Sequence, residues 1–219
     1  FNFKDISFNT NNINFLSEKI NVKKDKKDYF FKGNIKNKKT LLNDELLQII
    51  KLRYPQFELI KTNFESDNDF SFNINNKFKV KNLAIDSNFL IKSSQIKKNN
   101  LISKNFTEIN DPIELKDHDI KASYSKNKLS IEGKGKFKIQ NKFEIIDYQM
   151  TNNRSDFSLV SNIDLSELDI KNQKIIKVYL PKTKDILNLK DHKIKLNYKD
   201  NTLSFKGMGQ IKLEKELNK

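Results

Sequence analysis

The stretch LKDHDIKASYSKNKLSIEGKGKFKIQ, from Leu115 to Gln140, returns ungapped as LKDHKIKLNYKDNTLSFKGMGQIKLE, from Leu189 to Glu214, 74 positions later. Identities include Leu115/Leu189, Asp117/Asp191, His118/His192, Ile120/Ile194, Tyr124/Tyr198, Leu129/Leu203, Gly133/Gly207 and Gly135/Gly209. A more divergent copy near the start, INVKKDKKDYFFKGNIK from Ile20 to Lys36, aligns with Ile194 to Gln210 and matches Gly33 to Gly207. A chain that repeats itself in this way builds one supersecondary unit several times, and such units stack side by side. All five glycines, Gly33, Gly133, Gly135, Gly207 and Gly209, lie inside the repeated unit. In a chain so poor in glycine, that placement marks a demand of the backbone.

The period within the unit is that of a strand. In the last copy Ile194, Leu196 and Tyr198 alternate with polar residues, KDN makes a turn, and Leu203, Phe205, Ile211 and Leu213 resume the alternation. Each unit is therefore expected to be a β-hairpin, over residues 20–36, 115–143 and 189–217. In the middle copy the alternation runs from Leu129 through Ile131, Phe137 and Ile139 to Phe143, which implies a strand of about 15 residues or roughly 50 Å. Gly133 and Gly135 fall on the apolar parity. A bulge or bend that curls a long strand accounts for them, as does close approach by a ligand chain or another backbone.

Between the first two copies, Asn43 followed by DELLQIIKLRYP has the marks of a helix over 43–54: an Asn cap, acids in the first turn, Leu42 and Leu47 placed as a staple, and Pro55 as a stop. Downstream, Phe70, Phe72, Ile74, Phe78 and Val80 alternate before the parity shifts to Leu83 and Ile85, which predicts a turn or bulge near Asn82. Strands are also expected over 145–150, 157–165 and 175–180, with one helical turn over 181–187. No Pro/Gly/Ser linker interrupts the chain, so residues 1–219 read as one continuous sheet without a domain boundary.

The formal charge of +14 raises the question of nucleic acid. Only Arg53 and Arg154 supply guanidinium groups, however, and the rest of the positive charge is lysine, a poor reader of bases and of bidentate phosphate. The Lys, Asn, Ile and Phe excess also fits AT-rich coding. No specific nucleic-acid partner is expected; a solvated lysine surface or attraction to anionic headgroups fits better. Hydrophobic residues at 36%, with 17 Phe, are enough for a folded core. There is no Cys, which excludes disulfides and thiol chemistry. The chain begins at Phe1, and the expectation is a piece of a longer protein.

Chemistry-bearing constellations are sparse. His118 and His192, each after an Asp, occupy equivalent places in the repeat, and a turn or strand-start role explains them better than a metal or acid–base site. Asp117, Asp119, Glu132 and Glu144 lie on polar parity among lysines, where a solvated face is expected. No nucleophile elbow, phosphate loop, dinucleotide fingerprint or kinase signature occurs. Neither an enzyme nor a cofactor nor a metal is expected.

What remains is a long apolar face. One helix of about 12 residues, roughly 18 Å, cannot cover a sheet of many long strands. The sheet either meets a second sheet, giving a structural or adhesive β-sandwich with a closed core, or curls into a trough. In the trough, Leu129, Ile131, Phe137, Ile139, Leu203, Phe205, Ile211 and Leu213 are the candidates to face acyl chains.

With its recurrent style, IKLNYKDNTLSFKGMGQIK from Ile194 to Lys212, and with NKKTLLNDELLQIIKLRYPQFELIKTNFES from Asn37 to Ser66, the chain resembles the AsmA-like bacterial envelope proteins, the lipid-transfer group related to YhdP and TamB. The resemblance covers most of the chain. It implies an all-β, taco-like groove in the periplasm, anchored to the inner membrane through a segment not in this chain. It further implies phospholipids as cargo moving between inner and outer membranes, and flanking repeats of the same chain and membrane proteins as partners.

Overall fold

The computed structural model describes residues 1–10, 13–45, 47–48, 58–97, 109–153, 156–171, 178, 186–199 and 202–212. About 85% of them are strand. In chain order the strands are β1 (Asn2–Thr10), β2 (Ile13–Asp25), β3 (Asp28–Leu41), β4 (Glu58–Ile74), β5 (Val80–Lys97), β6 (Ile113–Ser125), β7 (Lys128–Lys138), β8 (Phe143–Asn153), β9 (Asp156–Lys171), β10 (Ile186–Lys199) and β11 (Thr202–Lys212). Each pairs antiparallel with the next. The result is one open, curled sheet whose order in space is its order in the chain, with β1 and β11 as its edges.

The three repeated units are hairpins in one shared register. Ile20 pairs with Gly33, Ile120 with Gly133 and Ile194 with Gly207. A break in register recurs at the same place in each, between Leu16 and Ile20, between Lys116 and Asp119, and between Lys190 and Lys193. In the last two copies the extra residue is the Asp before His, and both Asp117 and Asp191 take left-handed backbone, at φ 51° and 50°. The repeated Lys-Asp-His is thus a bulge signature, using the tolerance of Asp for that region. Further breaks fall between Ile60 and Asn63, with Lys61 at φ 49°, and at Asn82, at φ 52°, where the sequence predicts one. Bulges raise local twist, and their recurrence along long strands curls the sheet.

Several boundaries differ from the sequence expectation. The alternation from Leu129 to Phe143 is not one strand: β7 ends at Lys138, residues 139–142 turn, and Phe143 opens β8. The parity survives the corner, so periodicity alone hides it. The hairpin expected over 115–143 therefore closes at Lys138, and of the one expected over 189–217 the residues after Lys212 lie outside those described. The run from Phe70 to Val80 is likewise two strands, joined where Asn75 Oδ1 accepts the N–H groups of Lys77 and Lys79 at 3.0 and 2.9 Å.

Of the helix expected over 43–54, Asp44, Glu45, Leu47 and Gln48 are described and helical; Leu47 N–H donates to the Asn43 carbonyl at 3.1 Å. Asn43 precedes them without being helical, and residues 46 and 49–54 lie outside the described residues. So do most of 175–180 and 181–185; Val178 is helical there, and Ile186 and Leu187 belong to β10.

Directly paired residues share a face, so apolar rows cross the sheet. One runs Ile35, Asn68, Ser87, Ala122, Ile131, Met150, Leu159, Tyr198, Leu203, from β3 to β11. The opposite face carries lysines and acids paired across strands, as Lys36 with Glu18 and Asp67 at 3.0 and 3.5 Å and Lys121 with Glu132 at 3.8 Å. These pairs are exposed and contribute little. At the end with long connections, Ile139, Leu165 and Leu168 form a small buried core with Phe137, Ile113 and Leu189 around it.

Candidate functional site

At the tight-turn end, β1 to β7 curl around an open groove of about 970 Å³. Its wall is apolar: Phe3, Phe8, Ile20, Val22, Phe31, Phe70, Phe72, Leu83, Ile85, Phe89, Tyr124, Leu129 and Ile131 line it, with Asn68 and Ser87 as polar exceptions. Curling brings residues of non-adjacent strands round one space. Asp5, with left-handed backbone at φ 51°, lies between Phe3 and Phe8, and both line the groove despite their opposite parity, while the β1–β2 register runs unbroken past it.

The aromatic part of the wall is ordered by stacking, with ring centroids 4.9 Å apart for Phe31 and Phe72 and 5.8 Å for Phe70 and Phe72. Of the polar exceptions, Asn68 is tied back into the sheet. Asn68 Nδ2 donates to the Ile35 carbonyl at 2.9 Å and to Ser66 Oγ at 2.8 Å, and Ser66 Oγ donates to Asn37 Oδ1. Such bonds leave the groove with little to offer a polar ligand and much to offer an apolar one.

The groove candidates from the sequence separate into four places. Leu129 and Ile131 are in the wall. Phe137 and Ile139 instead pack in the small core at the other end, because the corner after Lys138 folds them against Leu165 and Leu168. Leu203, Phe205 and Ile211 share the concave parity but stand on the edge strand, 58%, 74% and 49% exposed. Leu213 lies outside the described residues. The phenylalanines of β1, β3 and β4, with most of the wall, went unassigned because their strands lie outside the two close copies; the clean alternation through Phe70 and Phe72 was the signal for them.

The glycines do not bend the backbone by positive φ, since none has it. They make room for neighbours. A Cβ at Gly133 would meet Tyr148 Cζ at 2.5 Å, one at Gly135 the His118 ring at 2.3 Å, and one at Gly209 the His192 ring at 2.3 Å. At Gly33 the contacts are Phe70 Cζ at 2.9 Å and Ile20 Cγ1 at 3.0 Å. The first hairpin supports the pairing of His with Gly, for it has Glu18 where the others have His118 and His192, and Ile35 where they have Gly135 and Gly209.

His118 is therefore a packed residue, with Nε2 3.0 Å from the Lys136 carbonyl, and burial holds its imidazole below the ordinary value. His192 has Nδ1 3.0 Å from the Lys190 carbonyl. Among the described residues no group of three or more His, Cys, Asp or Glu is placed to hold a metal ion. Glu144 departs from the solvated face expected of it. It is 4% exposed and accepts from Ser166 N–H and Oγ at 2.7 Å each and from Glu167 N–H at 3.4 Å. Burial of Tyr148 raises its phenol to about 12.

No helix among the described residues is long and apolar enough to cross a membrane. Comparisons with family models, curated proteins and solved structures return no match for this chain.

Proposed function

We propose that the chain is a lipid-binding segment whose concave groove takes acyl chains. The carrying observation is the groove itself: an apolar wall from seven strands, about 970 Å³, with no second sheet over it among the described residues. Every methylene moved from water onto that wall gains about 0.8 kcal/mol, so several in a row outweigh the ordering of one chain. An open trough also lets a chain slide, since the wall contacts are non-directional.

The polar end of the lipid has a matching place. The turns closing this end of the sheet carry exposed Lys23, Lys24, Lys26, Lys27, Lys77, Lys79, Lys126 and Lys128. A headgroup phosphate at the mouth stays in water and within reach of these ammonium groups. Together with the resemblance to the AsmA-like envelope proteins, this favours a periplasmic segment that supports phospholipid movement between inner and outer membranes. No covalent step or cofactor enters this reading.

The test is native mass spectrometry of the chain purified from a bacterial envelope, with lipid extraction. Co-purified phospholipid, lost when Phe70 and Ile131 are both replaced by Asp in a chain that keeps its β circular-dichroism spectrum, is the expected result. A lipid-free wild-type chain that also fails to take up added phospholipid sinks the proposal.

A further inference from the structure

Gly133 and Gly207 are repeat mates in the same register, yet only one is covered. Tyr148 of β8 fills the space over Gly133, its hydroxyl oxygen 2.6 Å from where a Cβ would stand. Over Gly207 the nearest atoms to such a Cβ are Ile194 Cγ1 at 3.6 Å and the Lys193 carbonyl at 3.9 Å, both from β10. Among the described residues nothing lies on the far side of β11, an edge strand exposed along its whole length.

We propose that β11 receives a further antiparallel strand from another polypeptide segment, with an aromatic side chain opposite Gly207 and a carboxylate opposite Lys206. The β7–β8 pair supplies the geometry of the aromatic. Charge supplies the second requirement. Lys206 is paired directly with Lys195, and neither makes an ion pair among the described residues. Like charges directly opposed are unfavourable, and a carboxylate on the open side offsets them.

The charge pattern also argues against a second copy of this chain as the occupant. Two β11 edges joined with Phe205 opposite Gly207 would set Lys206 against Lys206. The β1 edge gives Lys4 opposite Lys206 when Phe3 meets Gly207, and Asn9 when Phe8 does. Neither edge brings a carboxylate. A sheet edge next to an apolar face is the surface on which strand addition operates. This inference does not depend on what the groove holds.

The probe is a fluorescein-labelled peptide with the β8 sequence, Phe143 to Asn153, carrying Gln149→Glu so that the carboxylate falls opposite Lys206. Its binding to the whole chain is followed by anisotropy, and the binding site by amide hydrogen exchange. Saturable binding that slows exchange in 202–212 is expected. Tyr148→Ala in the peptide, or Gly207→Val in the protein, is expected to weaken it at least tenfold. At Gly207 a Cβ meets only ordinary contacts, the nearest at 3.6 Å, so Gly207→Val is expected to leave the thermal melt of the chain unchanged, which separates lost docking from lost folding. Absence of protection in β11, or equal binding by the substituted pairs, overturns the proposal. Concentration-dependent dimers in sedimentation, protected at β11 without peptide, overturn it in favour of a second copy.

Discussion

The phenol ring of Tyr148 lies over Gly133 so closely that a Cβ there would come within 2.5 Å of Cζ, while at its repeat mate Gly207 a Cβ would meet nothing nearer than Ile194 Cγ1 at 3.6 Å. One sequence position thus has two energetic characters. Gly133→Ala must displace a half-buried ring, and overpacking of this sort costs about 1–3 kcal/mol. Gly207→Ala meets only ordinary contacts and removes the entropic penalty of glycine in a strand, so it is neutral or stabilising by up to about 1 kcal/mol. Urea midpoints of the two variants measure the difference; equal destabilisation would contradict the assignment of Tyr148 as the cause.

Tyr148 also has a spectroscopic signature. With its phenol raised to about 12 by burial, it stays neutral in the folded chain at pH values where the unfolded chain ionises near the ordinary 10.0. Stability is then whole below about pH 10 and declines as pH rises toward 12. An alkaline ultraviolet titration of the folded chain is expected to show a late phase that Tyr148→Phe removes.

His118 gives the opposite slope at the other end of the scale. Burial lowers its pKa, against the pull of the Lys136 carbonyl and Asp117, so the unfolded chain takes up the proton first. The contribution is fully present above about pH 6.5 and is lost as pH falls below it. Urea midpoints measured from pH 7.5 to 5 are expected to drop for the wild type and to drop less for His118→Gln. Parallel curves for the two would place the acid sensitivity elsewhere.

Glu144 is a buried carboxylate of the sheet, and its three acceptor contacts to Ser166 and Glu167 replace water. Glu144→Ala strands those donors and is expected to cost about 1.5–3 kcal/mol, as for hydrogen bonds to a charged group. Glu132→Ala, from an exposed pair with Lys121, is expected to change stability by less than about 1 kcal/mol. Chemical denaturation of both variants decides between a buried and a surface role for Glu144.

The repeats carried most of the architecture in legible form. Period-two alternation and ungapped copies are enough to specify antiparallel hairpins in a shared register, and the parity change before Leu83 marks the bulge at Asn82. The corner after Lys138 was illegible because Ile139 and Phe143 keep the apolar parity across it. Glu144 looked solvated because its acceptors' partners sit on β9, far away in sequence. Leu129 and Ile131 were legible as groove residues, but the curl that gathers Phe3, Phe31 and Phe72 around them draws on bulges spread over β2 to β6. No single stretch of sequence encodes that curl. The role of glycine was half visible: the clustering of all five was plain, while the rings that need the space come from neighbouring strands.

The most direct test of the groove is photocrosslinking from within it. A photoreactive amino acid at Ile131, in the wall, and at Ser130, its neighbour pointing to the opposite face, is activated in living cells of a bacterium with an inner and an outer membrane. The account predicts phospholipid adducts at Ile131 and none at Ser130. Equal labelling at both positions, or none at Ile131, would contradict it.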